Sequence, residues 1–285
     1  MLTSRPAAPH PGLTHPATRM SLARRRCGSG HTYTLDGQKV KGVTTLIRLG
    51  YPAPGLIGWT GKVVAEFVAD ADAADLEALR ILGRDPMIAA LRALPNADRN
   101  TKAARGSTVH KLAERLCKGE QLEYGVDIDE SLEGHVASVL AFLDQWQPAP
   151  VLTETVIGNR WVPYAGTLDM VADIPGHGRV LLDYKTGESG IWPETVLQLA
   201  AYRYADFYLG DDGTEVPMRE VGIEHTWAVT VKADSYEIQP LDTGPDRDTS
   251  PAFAAFRGAA FTARRVDDIP ALIGEPLPNP VAVTA

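Results

Sequence analysis

Apolar residues recur at helical spacing through the first half of the chain. Val63, Val64, Phe67 and Ala71 form one such stripe, Val109, Leu112, Ala113 and Leu116 a second, and Leu132, Val136, Val139, Leu140 and Leu143 a third. Each returns every three or four residues, as one face of an α-helix requires. Thr60, Asp85-Pro86 and Ser131 are the expected helix starts, through side-chain capping and a first-turn proline. Before these helices, Tyr33, Leu35, Val40 and Val43 alternate around Asp36-Gly37, which predicts a short hairpin within residues 31–49.

Past Pro148-Ala-Pro150 the period becomes two. Strands are expected at Val151–Ile157, Arg160–Pro163, Gly166–Ile174 and Val180–Lys185, with turns at Gly158-Asn159 and at residues 175–178. A helix over Pro193–Leu209 follows, then strands near Gly222–Val231 and Ser235–Pro240, and a last helix from Ser250-Pro251. The change of period predicts an α/β protein with a central mixed β-sheet flanked by helices and a helical N-terminal half. One domain is expected over residues 31–269, with a helical part at 55–147, a sheet-bearing core at 150–240 and a C-terminal helix at 250–265. Residues 1–30, rich in proline and in arginine (Arg5, Arg19, Arg24, Arg25, Arg26), read as a flexible basic arm in which Met20 is an alternative start. Residues 270–285 read as a frayed tail.

Composition narrows the classes. No apolar run approaches the roughly 20 residues of a membrane-spanning helix, and no signal-peptide stretch opens the chain, so a cytoplasmic protein without a membrane partner is expected. Two cysteines, Cys27 and Cys117, exclude a four-cysteine iron–sulfur cluster. A net charge of −8 argues against bulk coating of nucleic acid but leaves room for a local basic groove.

Chemistry concentrates on the predicted strands. Asp183 and Lys185 stand two apart and leave one face, with Leu182 and Tyr184 on the other. A carboxylate holds a hard cation and an ammonium orients water beside a phosphate. With 36 acids and 8 lysines, about one such acid-x-lysine match is expected by chance, so context must carry it. Asp169 lies on the preceding strand, which a glycine-rich turn folds back beside Asp183. Two carboxylates on one side of a sheet repel unless a cation or a proton sits between them. Gln198 and Tyr202, four apart, share a helix face. His110 and Glu114 share another, on a helix expected to open at Gly106.

The order Gly106-x-x-x-His110, Gly166-Thr-Leu-Asp169, Asp183-Tyr-Lys185 and Gln198-x-x-x-Tyr202 resembles the PD-(D/E)XK nuclease superfamily, in its RecB-type and phage-exonuclease branch. The resemblance implies a restriction-endonuclease-like core in which His110, Asp169, Asp183 and the Tyr184 carbonyl hold Mg²⁺ or Mn²⁺. It also implies that Lys185 handles the attacking water, that Glu154 adds a further catalytic acid, and that Gln198 and Tyr202 position the substrate strand. The implied activity is ATP-independent exonucleolytic hydrolysis of DNA, in phage-type recombination, repair or DNA processing in the host cytoplasm. A recombinase or single-strand-binding protein and self-association are the implied partners. A structure-selective endonuclease and a catalytically silent DNA-binding adaptor are the alternatives. Two departures stand out: the four cluster cysteines of some members are missing, and no phosphate loop for ATP is present.

Overall fold

The computed structural model describes residues 22–27, 30–52, 54–187 and 190–276. Most of the expected basic arm, the choice of start and residues 277–285 of the expected tail lie outside the described residues. Elements follow in the order β1 (Leu22–Cys27), β2 (Gly30–Leu35), β3 (Gln38–Val40), α1 (Val43–Gly50), α2 (Pro54–Asp70), α3 (Ala73–Ile81), α4 (Arg84–Cys117) and α5 (Glu133–Trp146). The second half contains β4 (Ala149–Asn159), β5 (Tyr164–Ile174), β6 (Gly178–Lys185), α6 (Glu194–Arg203), β7 (Phe207–Leu209), β8 (Glu215–Pro217), β9 (His225–Val231), β10 (Tyr236–Pro240) and α7 (Pro251–Arg265).

Among the described residues the main sheet has seven strands in the order β10-β9-β6-β5-β4-β7-β8. Its β6–β9 pair is parallel and the other pairs are antiparallel, so the sheet is mixed. A parallel neighbour requires a long crossover, and here α6, β7 and β8 supply it. Helices cover both faces. On one, Leu46 and Ile47 of α1, Leu197 and Ala200 of α6 and Phe253 and Phe256 of α7 pack over Leu168, Val171 and Leu181. On the other, Val109 and Leu112 of α4 and Val136, Val139 and Phe142 of α5 pack over Met170, Ala172, Leu182 and Tyr184. The fold is therefore α/β, with a large mixed sheet between helical layers. No helix among the described residues is long and apolar enough to cross a membrane.

Several elements differ from the sequence expectations for identifiable reasons. Residues 22–27 of the expected arm form β1, which pairs antiparallel with β2 and buries Leu22 against Tyr33 and Phe207. The two-residue turn Asp36-Gly37 has positive φ at both positions, as a tight hairpin needs, but Val43 starts α1 instead of extending the hairpin. Thr60 lies inside α2, where its hydroxyl donates to the Ile57 carbonyl at 2.8 Å rather than capping a start. Gly106 likewise lies within the 34-residue α4; a Cβ there would come to 3.0 Å from Thr186 Oγ1, so glycine serves close approach of the segment after β6. Arg160–Pro163 is a turn rather than a strand: Asn159 Oδ1 accepts the Val162 N–H at 2.7 Å, and the Asp206 carboxylate accepts those of Arg160 and Trp161. The helix expected to reach Leu209 stops at Arg203, and residues 207–209 become β7 against β4. The start at Ser250 is as expected, with its Oγ accepting the Phe253 N–H at 2.9 Å.

Candidate metal centre

The β5–β6 ladder runs from Ile174 and Gly178 to Met170 and Leu182, then stops. Asp169 and Asp183 are the next residues of the two strands, so both acids sit where the strands part. In place of a ladder bond, the Tyr184 N–H donates to Asp169 Oδ2 at 2.9 Å. Side-chain alternation slips at the same level. Leu168 packs under α1 and α6, whereas Met170, two residues on, packs under α4 and α5. In β4 a similar slip brings Leu152 and Ile157, five residues apart, to the same core. Between them Glu154 has φ +46°, a conformation that non-glycine residues adopt only when their surroundings compel it. The paired irregularity puts Asp169 within reach of α4, beside the Asp183 that α6 reaches from the other layer.

Each layer contributes a side chain. From α4, His110 Nδ1 lies 3.3 Å from Asp169 Oδ2, and its ring meets the Tyr184 ring edge-on at 6.1 Å between centroids. From α6, Gln198 Nε2 donates to Asp183 Oδ1 at 2.8 Å and to the Tyr202 hydroxyl at 3.2 Å, while its Oε1 accepts from Lys185 Nζ at 3.3 Å. Lys185 also forms an ion pair with Asp183 Oδ2. The Asp183 side chain is 1% exposed and that of Lys185 30%, so the acid is buried and the lysine partly exposed. Tyr202 is buried, and its hydroxyl oxygen accepts from the Gln198 amide.

The charges perturb one another. Burial pushes the His110 imidazole down, but the charge and hydrogen bond of Asp169, with Asp183 behind it, raise it to about 9. Burial pushes Asp169 up, but His110, Lys185 and the Tyr184 N–H hold it below the ordinary carboxylate range. Burial raises Asp183 against the pull of Lys185. Glu154 is raised by burial and by the neighbouring Asp169 and Glu114. Negative charge crowded in this way is relieved by a proton or a cation.

The donor set fits a divalent ion. His110, Glu154 and Asp169 each offer a ligand atom, and these atoms lie within 4.8 Å of one another. Ligands on one hard cation stand about 2.0–2.6 Å from it, so two of them are at most about 5 Å apart. The carboxylate oxygens suit Mg²⁺ and Mn²⁺, and the imidazole donor favours a transition metal such as Mn²⁺ over Mg²⁺. All the sequence-expected side chains thus converge, with a difference in grouping: Glu154 joins His110 and Asp169, while Asp183 is held by Lys185 and Gln198. For Tyr184 the structure records the amide bonded to Asp169. His110 lies well inside α4 rather than near the helix start expected at Gly106. Arg24 of β1, which bonds His31, adds a minor electrostatic pull against the rise of Glu154. Arg24 falls within the expected basic arm, and no local signal in the sequence links β1 to β4.

No protein-family model matches the chain, and no curated protein matches it.

Proposed function

We propose that this chain is a metal-dependent deoxyribonuclease with a restriction-endonuclease-like core, of the PD-(D/E)XK superfamily and its RecB-type, phage-exonuclease branch. The observation that carries this reading is the convergence of Asp169, Asp183, Lys185 and Gln198 with His110 and Glu154 where β5 and β6 separate. A buried acid, a partly exposed lysine paired with it and a metal-competent triad side by side are the parts that phosphodiester hydrolysis requires.

His110, Glu154 and Asp169 would hold Mg²⁺ or Mn²⁺, with Asp183 as the adjoining acid. When bound, such an ion polarises a phosphate oxygen and lowers the pKa of a coordinated water. Asp183 keeps the Lys185 ammonium charged and fixed in direction. Gln198 locks both side chains from α6, and Tyr202 locks Gln198. Lys185 orients the attacking water and stabilises charge developing on the phosphate. The reaction is hydrolysis, without ATP, and the substrate is DNA presented at an end.

The test is digestion of 5′- and 3′-labelled linear duplex and single strand, and of closed circular plasmid, with Mg²⁺, with Mn²⁺ and with EDTA. Metal-dependent loss of linear DNA alone is expected. Nicking of the circle would make the protein an endonuclease, and retention without cleavage a binding adaptor.

A further inference from the structure

Beside Lys185 and Gln198 a cleft of about 430 Å³ opens between α1, α2, α4, α6 and the segment that follows β6. That volume falls in the range of sites that enclose a ligand rather than merely touch one. Its walls combine two features. Trp59, Trp192 and Leu56 give it aromatic and apolar surface, and Arg48, Arg99 and Lys102 give it positive charge. Leu56 and Trp192 are 44% and 42% exposed, so large apolar area faces solvent beside the candidate centre. Trp192 is held from behind, since its ring packs so closely on Gly55 that a Cβ there would lie 2.1 Å from it. Lys102 Nζ stands 5.9 Å from the centre of the Trp59 ring, over its face. With Lys185, four cations among the described residues line the cleft beside the acid Glu194; Lys102 is also paired with Asp98 at 2.8 Å and Lys185 with Asp183, which leaves Arg48 and Arg99 to carry most of the positive field.

We infer that this cleft is a subsite for single-stranded nucleic acid, in which unpaired bases stack on Trp192 and Trp59 while Arg48, Arg99 and Lys102 track the phosphates toward Lys185. Charge complementarity selects a polyanion, and the indole faces select its bases. Bases in a duplex have their faces covered by their neighbours, so stacking on indole takes unpaired nucleotides. The subsite rests on the nuclease reading for its direction toward Lys185, and it makes frayed or single-stranded ends the preferred substrate.

The test is binding of a fluorescein-labelled fifteen-nucleotide thymidine strand, and of a blunt duplex of equal length, with Ca²⁺ as the only divalent ion. Trp192→Ala and Trp59→Ala should each weaken single-strand binding by ~5- to ~150-fold and leave duplex binding little changed. Trp161→Ala, at an exposed tryptophan packed against Arg247 and Arg257, should change neither. Arg99→Gln and Lys102→Gln should each reduce the salt slope of single-strand binding by about 0.7. Should Trp192→Ala fold poorly, Trp192→Phe keeps a ring on Gly55 and the salt slopes carry the test. Unchanged affinity in both folded tryptophan variants, or unchanged slopes, overturns the subsite. Mn²⁺-dependent cleavage by the wild type is scored separately. Lost single-strand binding without any cleavage leaves the subsite standing and removes the nuclease reading, and cleavage with unaltered binding in the tryptophan variants does the reverse.

Discussion

Metal binding at this centre must expel a proton, and His110 makes the effect measurable. The metal-free imidazole is raised to about 9, so at neutral pH the ring is protonated and closed to a cation. At pH 7.5 freeing it means crossing about 1.5 pKa units, which costs about 2 kcal/mol, or about 30-fold in apparent affinity. The sign follows from the raised value: the proton competes at every pH below about 9, so affinity climbs with pH and levels off above that point. Between pH 6.5 and 8.5 the apparent Mn²⁺ association constant should rise by ~100-fold, with a slope near one and about one proton released per ion. Without an unusual environment the rise would level off near the ordinary histidine pKa of about 6.5. Calorimetric titration with Mn²⁺ in two buffers of different ionisation enthalpy measures both the affinity and the protons released. In His110→Ala the slope should fall toward that left by the carboxylates. Equal slopes in wild type and His110→Ala, or no proton release at pH 7.5, would refute ligation by His110.

Further outcomes follow from the same geometry. Lys185→Ala and Asp183→Asn should each lower the rate of DNA hydrolysis by at least ~10²-fold, and near wild-type turnover in either would sink their assignment. Because burial and Asp169 raise Glu154, its ionisation weakens the metal-free fold: the group contributes stability below its unfolded pKa and loses it as pH rises through its folded pKa. Glu154→Gln should therefore melt higher than wild type in EDTA at pH 8 by more than at pH 4, and an equal difference at both would contradict the crowding. Gly50 lies where α1 crosses α7, and a Cβ there would fall 1.8 Å from the Ala259 carbonyl oxygen. Gly50→Ala should cost about 1–3 kcal/mol in denaturant unfolding; a neutral substitution would show that the two helices part easily.

Local pattern carried much of the architecture. The stripe Val109, Leu112 and Ala113 is buried as its spacing requires, and the strands carrying Asp169 and Asp183 run antiparallel across the predicted glycine turn. These features depend on residues close in sequence, so periodicity and turn chemistry suffice to specify them. Asp183 and Lys185 were legible as a pair for the same reason, being two apart on one strand. The slip in alternation at Glu154 and Asp169 was not legible. A strand reading Leu-Asp-Met-Val-Ala shows where apolar residues lie but not which of two cores each enters, and that depends on helices from both ends of the chain. Nor could sequence alone show how Glu154 and Asp183 are grouped. Glu154 joins His110 only because α4 crosses beneath the sheet, and Asp183 is covered only because Gln198 of α6 and Lys185 of its own strand close over it. Ionisable side chains reveal their chemistry through distance and burial. Tertiary packing sets both, across separations of tens of residues that no local pattern encodes.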